Sequence, residues 1–165
     1  IEIAVGGFFD PLESGTGDWT HARGIPGYRD DWHLSPMRNH TPGGATSWKC
    51  GSTDSSGTYA NLIDAVLTSP VVPLAERTEL RFWHFIRAEM SFGHFGTAHD
   101  GGIVEASIDG GPWAQIYPAT GYDFVIVESS PPGPFPPQTP VFSGWWPWRA
   151  SGAMPGETRR TSATA

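Results

Sequence analysis

The chain has 165 residues, enough for one domain with its own hydrophobic core. Its 17 acidic residues outnumber its 10 basic ones, and the formal net charge of -7 disfavours nucleic acid as a partner, because phosphate binding depends on Lys and Arg. No run of 18 apolar residues occurs, so the sequence predicts no membrane-spanning segment.

The composition predicts an all-β fold. The chain contains 21 Gly and 16 Pro, which are typical of turns, and 13% aromatic residues, which favour strands. Only residues 59–67 approach helical periodicity, and Pro70 follows closely enough to stop a helix there. The charged fraction of 16% is low for a soluble domain, as is common in extracellular β-proteins.

Several segments have the composition of strands separated by turns. In chain order we predict short strands with long loops within residues 13–58, where Trp19, Trp32 and Trp48 each anchor a loop to the core. Further strands are predicted over residues 65–72, 80–86, 102–108, 113–117 and 122–128. The sequence Asp109-Gly110-Gly111, directly after the 102–108 strand, is a strong turn signal.

The C-terminal part has a different composition. Residues 130–140 are rich in proline, which lacks the N–H that a strand ladder needs, so we expect a surface loop or a docking segment for a proline-recognising partner. Residues 150–165 are polar and have no apolar pattern. We therefore expect a domain over residues 1–149 and a polar tail or truncated continuation over residues 150–165.

Five carboxylates lie in or beside Gly-, Ser- or Asn-containing sequence, where backbone carbonyls can also turn inward: Glu13, Asp54, Asp64, Glu89 and Asp100. Carboxylate and carbonyl oxygens are the ligands that Ca²⁺ prefers, so these residues are candidate calcium ligands. The alternative is that they form ordinary turns and solvated charges, and the chain has no EF-hand pattern.

The sequence carries no motif of a catalytic centre. It has neither an HExxH nor a GxSxG pattern. Glu89 and Glu105 lie on either side of a polar loop, but glycoside hydrolysis needs two carboxylates that face each other, and nothing in their spacing predicts this. The single cysteine, Cys50, excludes an internal disulfide framework and is expected to be a small buried residue. We therefore expect no catalytic residue.

Three tryptophans near the C-terminus form the densest aromatic cluster: Trp145, Trp146 and Trp148. They are candidate ligand-binding residues, because a sugar ring stacks on a flat indole. Core and edge packing is the alternative, since Trp buries a large apolar area. Successive side chains of a strand alternate between its two faces, so the three cannot all face one side.

The order of five motifs resembles a known class of module. The motifs are LESGTGDWT at 12–20, the segment from 48 to 59 with its Trp and Tyr, LTSPVVPL at 67–74, LRFWHFIRAE at 80–89 and DGGIVEASIDGGPW at 100–113. Together they resemble the jelly-roll modules that follow the M6-type peptidase unit in secreted bacterial proteins of the immune inhibitor A class. MAM-like and cleaved-adhesin domains of cell-surface proteases are similar.

The resemblance implies a two-sheet antiparallel jelly-roll sandwich without an active site of its own. It also implies a structural calcium ion, for which Glu13 matches the acid of the first strand and Asp100 the acid that opens the Asp-Gly-Gly turn, with Asp54 and Asp64 as looser matches. The chain departs from the family after Trp148, where the usual last hydrophobic strand and its acid are not found. A missing strand would leave an open sheet edge that could pair with another chain.

We therefore expect a non-catalytic, calcium-stabilised module that is extracellular or on the cell surface. Within a larger secreted protein it would mediate adhesion by binding carbohydrate or a protein surface. Two alternatives stand beside this expectation. One is an accessory domain of a secreted metallopeptidase or other hydrolase, and the other is a structural subunit of an extracellular assembly.

Overall fold

A computed structural model describes residues 8–74, 78–128, 132–151 and 160–164, the last two strands by their backbone alone. It contains twelve strands: β1 Thr20–Arg23, β2 Trp32–Ser35, β3 Ser47–Cys50, β4 Ala65–Thr68, β5 Phe82–Arg87, β6 Thr97–Ala98, β7 Ile103–Ser107, β8 Ala114–Gln115, β9 Phe124–Ile126, β10 Pro140–Val141, β11 Trp145–Ser151 and β12 Arg160–Thr164. No helix occurs in these ranges, and accordingly none that could cross a membrane. The predicted all-β class is confirmed.

The strands form four hydrogen-bonded sheets. The largest has the order β1-β4-β12-β7-β8, the second has the order β10-β9-β6, and two sheets are the pairs β11-β5 and β2-β3. Neighbouring strands run antiparallel except β6 and β9, which run parallel. The strands predicted at 80–86 and 102–108 are present as β5 and β7, but they belong to different sheets.

Strand β7 ends in the predicted turn. Asp109 and Gly110 adopt φ angles of 51° and 76°, the left-handed region in which Gly, Asp and Asn are found most often. The N–H of Gly111 donates to the carbonyl of Ile108 at 2.8 Å, and strand β8 then returns antiparallel to β7. The Asp-Gly-Gly sequence therefore acts through its backbone geometry.

Two hydrophobic clusters form the described core. The first contains Val104, Ala106, Ile116 and Phe142, with the partly buried Leu80, Phe82, Ile86 and Tyr122 packed against it. The second contains Ile103, Ile126 and Val141, with Phe124 and Phe135 packed against it. Strand β7 contributes to both clusters, because its successive side chains point to opposite faces.

The hydroxyl of Tyr122 links two segments of the first cluster. It accepts a hydrogen bond from the N–H of Val104 at 3.1 Å and donates one to the carbonyl of Ile116 at 2.8 Å. The ring lies 4.7 Å from that of Phe142, centroid to centroid. Desolvation raises the pKa of Tyr122, so the phenol stays neutral and keeps both its donor and its acceptor role.

The β2-β3 pair lies against the β1-β4 side of the largest sheet. The indole N–H of Trp32 donates to the carbonyl of Ala65 at 3.1 Å, and the rings of His21 and Trp48 meet edge to face at 5.6 Å. In β4 the buried side chains Ala65 and Leu67 alternate with half-buried ones, as expected for a strand with one face on the core. Two of the tryptophans expected to anchor loops therefore hold a strand pair in place.

The C-terminal segments take part in the sheets. Phe135 from the predicted proline-rich loop packs on the second cluster, and β10 follows that loop, which falls partly outside the described residues at 129–131. Strand β11 continues to Ser151, and β12 pairs with both β4 and β7, although the sequence assigns these residues to a tail. Residues 1–7, 152–159 and 165 lie outside the described residues, and the boundary at 149 stays a prediction.

Candidate functional site

The outer face of β5 carries two aromatic side chains, the exposed Trp83 and the half-buried Phe85. Phe82 and Ile86 pack on the first core cluster, so Trp83 and Phe85, which alternate with them, lie on the opposite face. Trp83 is 53% exposed, a large value for a tryptophan in a strand. An exposed indole on a rigid strand is a surface on which a ligand can stack.

Two side chains from the loop after β2 pack on these aromatic rings. The imidazole of His40 stacks on the indole of Trp83 with 3.9 Å between ring centroids and 14° between ring planes. The guanidinium carbon of Arg38 lies 4.3 Å from the centroid of Phe85, within the range of a cation–π contact. We call these four residues, Arg38, His40, Trp83 and Phe85, the β5 platform.

Glu13 holds the loop that supplies Arg38 and His40. Its Oε1 accepts a hydrogen bond from Asn39 Nδ2 at 2.8 Å, and its Oε2 accepts from the N–H groups of Ala45 at 2.5 Å and Thr46 at 3.2 Å. The hydrogen bonds from Ala45 and Asn39 lower the pKa of the Glu13 carboxyl, so it is ionised at neutral pH.

The same loop leaves no room for a further ligand on one side of Glu13. A Cβ atom added at Gly44 would lie 2.1 Å from Glu13 Oε1 and 2.5 Å from Asn39 Nδ2. The loop backbone therefore approaches the carboxylate as closely as glycine allows. In this structure the carboxylate predicted as a first-strand calcium ligand acts as an anchor for the loop.

Asp54 caps a turn in the loop after β3. Its Oδ1 accepts a hydrogen bond from the N–H of Ser56 at 2.9 Å, and the side-chain and backbone hydrogen bonds from Ser56 lower the pKa of Asp54. The ammonium of Lys49 donates to the carbonyl of Asp54 at 3.3 Å and to the carbonyl of Ser52. Carbonyl oxygens that could face a calcium ion here already face a cation of the chain itself.

Asp64 is the most buried of the predicted ligands, with 5% of its surface exposed. Desolvation, with the nearby charge of Glu105 in addition, raises the pKa of Asp64, whereas a backbone hydrogen bond from Ile25 lowers it in part. A Cβ atom added at Gly24 would lie 2.5 Å from Asp64 Oδ2, so the chain presses closely on this carboxylate. Burial therefore disfavours the charged form of this carboxylate in the structure.

Asp100 accepts a hydrogen bond from the hydroxyl of Tyr59 at 2.7 Å. The same hydroxyl accepts from the N–H of Glu89 at 3.0 Å, and the carbonyl of Asp100 accepts from Ser143 Oγ at 2.5 Å. Asp100 therefore joins the segment between β6 and β7 to the loop after β3, which carries Tyr59. Its observed contacts are those of a structural residue.

The described part of the chain contains no group of three or more His, Cys, Asp or Glu side chains placed to hold a metal ion. Glu13, Asp54, Asp64 and Asp100 thus do not form such a group. Calcium binding stays a prediction from the sequence and the family resemblance.

The predicted ligand-binding tryptophans lie in β11. In the backbone register Trp145 is opposite Arg87 of β5 and Trp146 is opposite Ile86, with a bulge before Arg149. The side chains of Trp145, Trp146 and Trp148 lie outside the described residues, so their ligand-binding role stays a prediction.

Cys50 is not a nucleophile candidate. Desolvation, reinforced by the charges of Asp31 and Asp30, raises the pKa of the Cys50 thiol to about 12. Reaction at a cysteine needs the thiolate, which is scarce at neutral pH when the pKa is this high.

The sequence arguments did not single out the β5 platform. A signal was present in the 80–86 segment, because Trp83 and Phe85 occupy the positions that alternate with Phe82 and Ile86. A strand with aromatic residues on both faces must either be covered on both sides or present one face to solvent. The sequence gives no indication that Arg38 and His40 contact this strand, because the contact forms only in the folded chain.

Comparison with known protein families, curated proteins and solved structures finds no match for this chain. The resemblance to the jelly-roll modules of secreted bacterial proteins therefore rests on the order of the five sequence motifs. The function must be inferred from the geometry of the chain itself.

Proposed function

We propose that the protein is a non-catalytic carbohydrate-binding module whose ligand stacks on Trp83 of the β5 platform. The observation that carries the proposal is the half-exposed indole on a rigid strand, with one imidazole stacked on it at 3.9 Å. Aromatic side chains offer large contact area at a small cost in conformational entropy, which suits the apolar face of a sugar ring.

The charges around the platform favour an acidic sugar. Arg38 lies over Phe85, and the exposed Arg87 follows two residues later on the same face of β5. A guanidinium recognises a carboxylate through two parallel hydrogen bonds, so a uronate-containing polysaccharide is the ligand class that we propose.

The loop after β2, which supplies Arg38 and His40, supports binding because Glu13 already holds it in place without a ligand. Glu13 fixes the loop through Asn39, Ala45 and Thr46, so that Arg38 and His40 need little further ordering when a sugar binds. Ordering a loop on binding would otherwise cost affinity.

We also propose that the strands form the two layers of a jelly-roll-like sandwich. The ring of Trp48 in β3 meets that of His21 in β1, and Phe82 and Ile86 of β5 pack against the first core cluster, which contains Val104 and Ala106 of β7. In the register of the largest sheet His21, Val104 and Ala106 occupy positions on the same face. Both strand pairs thus support a second layer on that face. The extracellular location and the structural calcium ion belong to this proposal through the family resemblance.

Isothermal titration calorimetry with oligogalacturonate and with the neutral cellohexaose tests the binding proposal. We expect binding of oligogalacturonate, a loss of about tenfold or more in affinity for Trp83→Ala, and no change for Trp113→Ala, whose indole is exposed to a similar extent at 48%. The proposal is wrong if the protein binds neither sugar, or if the two variants behave alike. Preferential binding of cellohexaose would support stacking on Trp83 but would refute the proposed preference for acidic sugars.

A further inference from the structure

The loop between β5 and β6 carries two highly exposed phenylalanines, Phe92 and Phe95. Phe92 is 93% exposed and Phe95 is fully exposed, while Met90 at the start of the loop is 40% exposed. We call residues 90–98, which end in β6, the tip loop. Exposed apolar side chains grouped in this way mark an interaction surface more often than isolated ones do.

The base of the tip loop is fixed by hydrogen bonds. The N–H of Ser91 donates to the carbonyl of Thr97 at 3.0 Å, and Thr97 Oγ1 donates to the carbonyl of His94 at 2.7 Å. The carbonyl of Gly96 accepts from the N–H of Val125 in β9 at 2.9 Å. The phenylalanines are therefore presented on a defined loop, and four of its backbone carbonyls or amides are satisfied by the protein itself.

Transfer of the tip loop from water into an apolar medium costs little free energy. Between Met90 and Ala98 the sequence MSFGHFGTA contains no Asp, Glu, Lys or Arg, so no ionised side chain of that kind would be desolvated. Backbone groups that are bonded internally also enter an apolar medium more easily than free ones.

The available area argues against a protein partner. A phenylalanine side chain buries about 150–250 Å², so two of them cover about half of the ~800 Å² per partner that a stable protein interface needs. A lipid interface has no such requirement for area and shape, because it accommodates a convex tip. The net charge of -7 disfavours an anionic surface.

We propose that the tip loop inserts Phe92 and Phe95 into the interface of a neutral phospholipid layer. Binding is weak and reversible, since two phenylalanine rings supply most of the apolar area that leaves water. This site is separate from the β5 platform, and its test does not depend on carbohydrate binding.

Co-sedimentation of the 165-residue chain with phosphatidylcholine vesicles tests the proposal. We expect measurable binding, and a loss of about tenfold for each ring in the Phe92→Ser/Phe95→Ser variant. Phe9→Ser is the matched control, because Phe9 is 85% exposed and lies outside the tip loop. Circular dichroism checks the fold. If the double variant does not fold, Phe95→Trp replaces it and should strengthen binding, because indoles favour the membrane interface.

The proposal is overturned if the protein fails to bind phosphatidylcholine vesicles, or if Phe9→Ser weakens binding as much as the double variant does. Stronger binding after anionic phosphatidylglycerol is added would also overturn it, because that result would indicate a charge effect. Analytical ultracentrifugation tests the remaining alternative, in which a second copy of the chain binds the tip loop. Self-association that the double variant abolishes, without vesicle binding, would assign the tip loop to a second copy of the chain.

Discussion

Replacing Tyr122 with phenylalanine removes one hydroxyl and with it two hydrogen bonds. The hydroxyl accepts from the N–H of Val104 at 3.1 Å and donates to the carbonyl of Ile116 at 2.8 Å. Each bond contributes about 1 kcal/mol net to stability, so their loss costs about 2 kcal/mol. Val104 is buried in the first core cluster, and an N–H left there without a partner makes that figure a lower bound.

Urea unfolding followed by tryptophan fluorescence measures this cost. We expect Tyr122→Phe to lower the free energy of unfolding by about 2–3 kcal/mol with an unchanged slope against urea, because the folded state stays equally compact. Tyr117→Phe is the control, since Tyr117 is exposed and meets the ring of Tyr122 edge to face. Its effect should stay within about 0.5 kcal/mol.

Two results would refute the reasoning about Tyr122. One is a destabilisation no larger than that of the Tyr117 control. The other is native-state hydrogen exchange at the Val104 amide that is equally slow in wild type and in Tyr122→Phe. This amide should lose protection when the Tyr122 hydroxyl that accepts its hydrogen bond is removed.

Three further predictions concern other positions. Gly101→Ala should destabilise the protein by about 1–3 kcal/mol in urea unfolding, because the new Cβ would lie 2.6 Å from the side chain of the buried Val141. Glu13→Gln and Asp64→Asn should change the pH dependence of stability in opposite directions. The pKa of Glu13 is lowered, so its contribution is present at neutral pH and is lost as the pH falls through that value. The pKa of Asp64 is raised, so its charge opposes folding at neutral pH and wild type gains stability relative to Asp64→Asn as the pH falls. The Cys50 thiol should react slowly with a disulfide reagent at pH near ~8, because its pKa of about 12 leaves little thiolate.

Each of these predictions has a clear counter-result. An unfolding free energy of Gly101→Ala equal to that of wild type would show that the backbone around Val141 relaxes without cost. A shift of both carboxylate variants in the same direction between neutral and acidic pH would contradict the opposite signs of the two pKa shifts. Equal thiol reaction rates for the native and the urea-unfolded protein would show that burial does not protect Cys50.

Local sequence patterns were sufficient where neighbours along the chain decide the structure. The 102–108 strand and its Asp-Gly-Gly turn are recognisable, because β-propensity and the left-handed preference of Gly act over a few residues. The actual β7 differs by one residue at each end. The all-β class follows from the same kind of information.

Pairing across long sequence distances could not be predicted in this way. Strand β5 pairs with β11, more than fifty residues later, and the stacked rings of His40 and Trp83 are brought together only by the loop that Glu13 anchors. The sequence offers Glu13 and Asp100 as oxygen donors but does not reveal that Ala45 and Tyr59 already occupy them. Donor chemistry alone cannot distinguish a metal ligand from an acceptor of internal hydrogen bonds.

The Lys49 ammonium gives the loop after β3 a property that a metal-filled loop lacks. Its three donor hydrogens point toward the carbonyls of Ser52 and Asp54 and the sulfur of Met37. A cation tethered by a covalent side chain cannot be extracted by a chelator or diluted away. The order of this loop should therefore not depend on divalent cations, and it would persist where they are scarce.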